Sequence, residues 1–377
     1  MTNHFPSFDL EDTEQFINGS CLIPNEGLPQ DKLIISDSYL VSKHLIDVEK
    51  TLIKIASSDE QLFIPYMDSH LGKTLVRHLK SSYTFKEYFP YNSLSPYVNV
   101  FLRTIANTEA KDRKGRKLNT VIKHRLNEAR KKGRNKYWEI AYPPTDNRQI
   151  YCNTMNYFVE KLRKRLRSDT FSKSVLNLKK CLSKNKNSLL KYINSLFNKH
   201  SRLLVIRLDL SYKKRNNRNV KKHEFCEQLA KAQDHRHKLL QHLKRQQLKD
   251  ALVGYAWKLE YGLEKSFHYH MIFFLDGSKY RKDVEIAKSI GEYWGNHITD
   301  GTGLYWNCNA NQNSYRANGI GIVNYWDTDK RKNLEKASLY LVKPDYFVRV
   351  FMPNGGKTYD RGQMPKKLEK RGRIRSK

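Results

Sequence analysis

Hydrophobic and polar positions give the two halves of the chain different textures. In the first hundred residues, apolar positions recur with helical spacing from Leu45-Ile46 through Leu52-Ile53 to Ile55, and again between Leu71 and Leu79. From Lys111 to Lys136 apolar residues are scarce and two glycines interrupt, which predicts an exposed loop or a solvated helix. Helical periodicity returns in a basic stretch from Tyr157 to Arg167 and from Leu176 to Leu196. At Leu203 the period shortens. The segment Leu203 to Tyr212 begins as an apolar run and then alternates, as a half-buried strand does. A long basic helix is predicted over Phe225 to Leu248, and strands over Val253 to Tyr261 and Phe267 to Leu275, joined by a short turn from Gly262 to Ser266. Asp276-Gly277 marks the next tight turn, Ile286 to Trp294 a further helix, and the Gly- and Asn-rich stretch Asp300 to Asn318 a loop. Leu334 to Lys343 reads as a helix stopped by Pro344.

Strand, helix, strand, strand, helix, loop, helix is the order of an α+β domain. The expected fold is an antiparallel central sheet with flanking helices in the C-terminal half, preceded by a mainly helical N-terminal region. The expected divisions are an N-terminal region over 1–105, a basic, mainly helical connection over 106–196, the α+β domain over 197–350 and a basic tail over 351–377.

Charge narrows the partners. The chain of 377 residues carries 70 Lys+Arg against 38 Asp+Glu, a formal net charge of +32. Such an excess strains a compact state unless a polyanion relieves it, which points to nucleic acid, and the basic run at Lys111 to Lys136 is either a phosphate-contacting arm or a solvated linker. No basic helix has a clean apolar opposite face, so a membrane surface is not the expected partner, and no segment is apolar enough to span a bilayer. The N-terminus turns acidic at Asp9, Glu11, Asp12 and Glu14, unlike a signal peptide. The five cysteines include no CxxC pair, which fits a reducing cytoplasm and not a zinc ribbon or disulfide framework.

Three elements carry candidate chemistry. His268 and His270 lie two apart in a predicted strand, so both imidazoles share a face while Tyr269 points away. Glu260 ends the preceding strand and could return its carboxylate to that face across the hairpin. Two histidines and a carboxylate make a mixed N/O site suited to Mg²⁺ or Mn²⁺, and Zn²⁺ also accepts such a set. Asp209 is either a further acidic contributor or the structural partner of a basic neighbour. The third element is Tyr340-Leu341-Val342-Lys343. On a helix Tyr340 and Lys343 share a face, so the lysine could hold a phenolate or a phosphate beside a tyrosine nucleophile. Taken singly, each element also has a structural explanation: hydrogen-bonded core histidines, a surface carboxylate, an amphipathic helix end.

Together these elements resemble the HUH endonucleases, which include rolling-circle replication initiators. A closer resemblance is to the inovirus-type gene-two replication proteins and the YagK/YfjJ C-terminal domain of phages and bacterial prophage elements. It is carried by Leu204 to Tyr212, Trp257-Lys258-Leu259-Glu260-Tyr261-Gly262, His268-Tyr269-His270, Ile290-Gly291-Glu292-Tyr293-Trp294 and Gly319-Ile320-Gly321, and covers about Leu196 to Tyr346. The resemblance implies a replication-associated protein in a bacterial cytoplasm that nicks one strand of single-stranded or hairpin origin DNA and leaves a 5′-phosphotyrosine. It implies Tyr340 as nucleophile, with Tyr346 in reserve, Lys343 supporting the phosphate, and His268, His270 and Glu260 holding the metal. Tyr269 departs from the aliphatic residue common at the centre of the motif. No Walker-type loop is present, so a host helicase and polymerase are implied as partners. The alternatives are a non-catalytic DNA-binding protein of the same fold and a basic RNA-binding protein with structural histidines.

Overall fold

A computed structural model describes residues 22–23, 34–35, 37–107, 148–213, 220–262, 266–314, 318–339, 341–342, 348–352 and 356–365. The basic run at Lys111 to Lys136 and the tail at Lys366 to Lys377 lie outside the described residues. The chain forms two compact units, Met1–Lys179 and Lys180–Lys377.

The first unit is helical, as the periodicity predicts. It contains α1 (Asp37–Ser57), α2 (His70–Tyr88), α3 (Pro96–Asn107), α4 (Arg148–Leu166) and the start of α5 (Asp169–Lys199), within which the division falls. The apolar stripe of α1 is Leu45, Val48, Leu52 and Ile55, all buried. They meet an aromatic core in which Phe101 and Phe158 pack edge to face. The Ser69 hydroxyl caps α2 by accepting a bond from the Gly72 amide at 3.0 Å. A two-residue antiparallel ladder pairs Leu22–Ile23 with Ile34–Ile35.

The second unit is built on a sheet of six strands: β1 (Arg202–Tyr212), β2 (Leu252–Gly262), β3 (Ser266–Asp276), β4 (Gly303–Asn307), β5 (Gly321–Asn324) and β6 (Tyr359–Arg361). The order is β6-β2-β3-β1, and β4 and β5 share the far edge of β1. Every pairing is antiparallel, β4 lying opposite Leu208 to Tyr212 and β5 opposite Arg202 to Val205. Between those two short strands the Asn309 side chain takes over. Its carboxamide accepts from the Arg207 amide and donates to the Val205 carbonyl, both at 2.9 Å.

Helices cover both faces of the sheet. On one face lie α6 (Lys222–His242) and α7 (Asp283–Tyr293), each closed by a five-residue π-helical turn, Leu243–Gln247 and Trp294–Ile298. The Tyr269 hydroxyl reaches this layer, donating to the Ala232 carbonyl at 3.1 Å. On the other face the end of α5 crosses the sheet, with Tyr192 edge-on to Phe274. Beside it lies α8 (Thr328–Leu339), whose Arg331 bonds Asn194 at 2.7 Å and covers the Phe197 ring. Burial on both faces explains why Leu203 to Ile206 and Met271 to Leu275 read as unbroken apolar runs.

Three strands match their predicted spans to within a residue or two, and two differences stand out. The stretch Asp300 to Asn318, expected as loop, holds β4 and a 3₁₀ turn at Gln312–Ser314. The expected tail contributes β6 to the sheet. Both strands are short and every residue in them is only half-buried, so neither leaves an alternating signature. The helix expected from Leu334 to Lys343 starts earlier, at Thr328, and Leu341 and Val342 already stand in a turn.

Close packing of α7 on β4 makes one prediction. A Cβ on Gly291 would stand 2.2–2.6 Å from ring carbons of Tyr305, including the first carbon of the ring, so the clash is not with a flexible chain end alone. Gly291→Ala should therefore cost about 1–3 kcal/mol through overpacking. A urea midpoint equal to that of the unsubstituted protein would contradict this. Among the described residues, no helix is long and apolar enough to cross a membrane.

Candidate functional site

The site is organised by strand register. β2 and β3 form a hairpin in which Glu260 lies opposite His268 and Lys258 opposite His270. On the other side of β3, Asp209 of β1 lies opposite His270. Directly paired residues of an antiparallel sheet project to the same face, and so do residues two apart on one strand. Glu260, Lys258, His268, His270, Asp209 and Arg207 therefore share one face, the one that also carries α5 and α8. Tyr269 points to the opposite face, as the alternation predicts. There burial raises its hydroxyl pKa to about 12, against the opposing effect of Arg236.

The three predicted metal ligands converge. The Nε2 atoms of His268 and His270 lie 3.3 and 3.6 Å from the same oxygen of Glu260, Oε2. One nitrogen from each histidine and one carboxylate oxygen all fall within 4.8 Å of one another. The far side of each ring is held by an acceptor. His270 Nδ1 donates to Asp209 Oδ1 at 2.7 Å, and His268 Nδ1 donates to the Ser266 carbonyl at 3.3 Å. With Nδ1 donating, a neutral imidazole turns the lone pair of Nε2 toward Glu260. Lone pairs then face a carboxylate, and the cluster needs a proton or a cation between them.

The electrostatics follow from this crowding. Burial opposes the charged form of Glu260, yet His270 and then His268 hold its carboxyl well below the ordinary range. Burial likewise opposes the imidazolium of His270, but Asp209 and Glu260 outweigh it and push its pKa up to about 9. A proton thus occupies the cluster at neutral pH when no other cation does. The second oxygen of Glu260, Oε1, is buried with no hydrogen-bond partner. A buried acceptor left unpaired is costly, and a cation ligand is one way to satisfy it. The donor set and the orphaned oxygen both fit a divalent ion.

Asp209 is placed as the orienting partner of His270, and its Oδ1 also lies 3.9 Å from Arg207 Nε. Lys258 is a residue that the sequence reading missed. It is buried on the same face and in the same row as His270. The two-residue spacing from Glu260 carried that signal. Tyr340, Lys343 and the reserve Tyr346 lie outside the described residues. The helix preceding them, α8, ends at Leu339 and packs against α5 on the same side of the sheet as the histidines.

Gly319 and Gly321, which take part in the resemblance, sit at positions that need glycine. Gly319 abuts the α8 backbone at Leu334, where a Cβ would come within 2.2 Å of the amide nitrogen, and Gly321 has φ of +75°.

No curated protein matches the chain, and no solved structure does. Residues 144–346, however, match the YagK/YfjJ C-terminal domain family, a span that begins before α4, includes the whole of α5 and runs through every residue of the converging cluster. The protein belongs to the YagK/YfjJ C-terminal domain family.

Proposed function

We propose that the second unit is a metal-dependent endonuclease of the HUH type that nicks single-stranded DNA for a phage or prophage replication system, as the inovirus-type gene-two proteins do. The observation that carries this reading is the convergence of His268 and His270 on one carboxylate oxygen of Glu260, whose other oxygen is buried and unpaired. Mn²⁺ suits this mixed imidazole and carboxylate set best, with Mg²⁺ and Zn²⁺ as alternatives. A divalent ion bound there would polarise the scissile phosphate as a Lewis acid.

The chain's own residues supply the rest. Asp209 holds the His270 ring so that Nε2 faces the cluster. Tyr340 attacks the phosphorus, its oxygen forming the new P–O bond while the bond to the 3′ oxygen breaks. The phenol proton is lost, and the departing 3′ oxygen gains one. Lys343 offsets the charge of the phenolate and the phosphate. The product is a 5′-phosphotyrosine link and a free 3′-OH. The excess of basic residues draws the DNA to the site. Unwinding and synthesis would fall to a host helicase and polymerase.

The test incubates the full chain with Mn²⁺ and labelled single-stranded oligonucleotides drawn from its own element's replication origin. A covalent, nuclease-resistant adduct that chelation prevents is the expected result. Salt-sensitive binding with no adduct under any divalent ion would instead identify a DNA-binding protein that has lost cleavage.

A further inference from the structure

The first unit carries an exposed apolar turn for which the nicking reaction gives no account. Ile64, Pro65, Tyr66 and Met67 are four consecutive exposed residues. Tyr66 is 97% exposed, Met67 60% and Ile64 39%. Single exposed apolar residues are ordinary, but an uninterrupted run of them at the tip of one turn is a patch.

The turn is held at its base by an elaborate set of bonds. Phe63 and Asp68, which flank it, are both buried and form a bridge with each other. Arg148 of α4 donates to the carbonyls of Ile64 and Pro65 at 3.0 and 3.1 Å and makes an ion pair with Asp68. Asn156, two turns along α4, brackets Phe63 by accepting from its amide at 3.1 Å and donating to its carbonyl at 2.7 Å. The Ser69 amide closes the turn onto the Leu62 carbonyl at 2.9 Å. Ordering side chains on binding costs entropy, and a turn fixed in advance loses less. Folding gains nothing from presenting Tyr66 and Met67 to water, so the fixed geometry serves something outside the chain.

We propose that this turn is a stacking finger for the bases of single-stranded DNA, a second contact separate from the nicking site. Three observations select this occupant. Tyr66 offers a free aromatic face, the feature that unpaired bases stack on without regard to sequence. Pro65, Met67 and Ile64 are of the kinds that wedge between bases. Immediately after Asp68 the surface opens into a cleft of about 330 Å³ lined by Lys50 and Lys54 against Glu60, with His70 beside them, so positive charge exceeds negative where the backbone phosphates would run. A second copy of this chain is a poor occupant, because a net charge of +32 opposes self-association. The proposal rests on the reading that the chain binds DNA, and adds a contact made by the first unit.

The test measures anisotropy of a labelled single-stranded oligonucleotide with the full chain in EDTA, which removes cleavage from the readout. Tyr66→Ala should weaken binding by roughly 5- to 100-fold, and Tyr66→Trp should retain it. The dependence of log affinity on log salt should be the same in both variants, because a stacked ring releases no counterions. Equal affinity of Tyr66→Ala and the unsubstituted chain would overturn the finger while leaving the nicking reading intact. So would a loss in Tyr66→Ala confined to binding of phosphatidylglycerol vesicles or to self-association, with DNA binding unchanged. An unsubstituted chain that does not bind single-stranded DNA at all would overturn both.

Discussion

Alanine at Glu260 is expected to weaken Mn²⁺ binding by roughly 100-fold or more, and with it to abolish adduct formation. The residue is the hub of the cluster. Both imidazoles address one of its oxygens, and the other oxygen has no partner of its own. Removing the carboxylate takes away the only anionic donor among the three ligands and leaves two imidazoles facing each other. Asp209→Asn should act in the same direction but more weakly, by about 10- to 100-fold, because it loosens the hold on His270 and leaves the donor set intact. His268→Ala combined with His270→Ala should match Glu260→Ala. Metal uptake should strengthen as pH rises, since His270, its pKa pushed up to about 9, must surrender a proton to accept a cation. Isothermal titration with Mn²⁺ reads all of these. Unchanged Mn²⁺ affinity in Glu260→Ala or in the double histidine variant would remove the metal site from the account.

Removing one oxygen atom at Tyr340 is expected to eliminate the covalent adduct while sparing DNA binding. The chemistry needs a nucleophilic oxygen, and phenylalanine has none, so the loss should be complete and not graded. Tyr340→Phe keeps the aromatic ring, and circular dichroism and oligonucleotide affinity should both match the unsubstituted protein. The parallel variant Tyr346→Phe separates the two candidate tyrosines. An adduct that survives in Tyr340→Phe and disappears in Tyr346→Phe would reassign the nucleophile. One that survives when both are replaced together would remove the two tyrosines from the mechanism, whatever the state of the metal site.

The sheet and the cluster were legible in the sequence for a physical reason. Residues 203–212, 253–261 and 267–275 are long, central and covered on both faces, so selection for burial marks nearly every position. Alternation then fixed which side of β3 carries His268 and His270, and a short connection fixed Glu260 as their cross-strand neighbour. Asp209 was less legible. Its role depends on β1 lying beside β3 in one register, and no local pattern encodes a pairing between residues 61 positions apart. β4 and β6 were illegible, because strands of five and three half-buried residues hold their place through the neighbour they pair with and not through their own hydrophobicity. The fixed turn at Ile64 to Met67 escaped notice for the same reason. Its anchors, Arg148 and Asn156, stand more than eighty residues away in the chain.

The divided edge of β1 bears on how such chains behave when crowded. A continuous free strand edge invites a neighbour's strand to add to it. Here β4 and β5 occupy the two ends of that edge, and the Asn309 carboxamide imitates a strand residue between them. What faces outward is a broken margin of five and four residues on one side and three, in β6, on the other. Where chains meet at high local concentration, margins this short deny them a template for sheet-to-sheet growth. Asn309→Ala should reopen the gap and make the protein more prone to aggregate before it makes it less active.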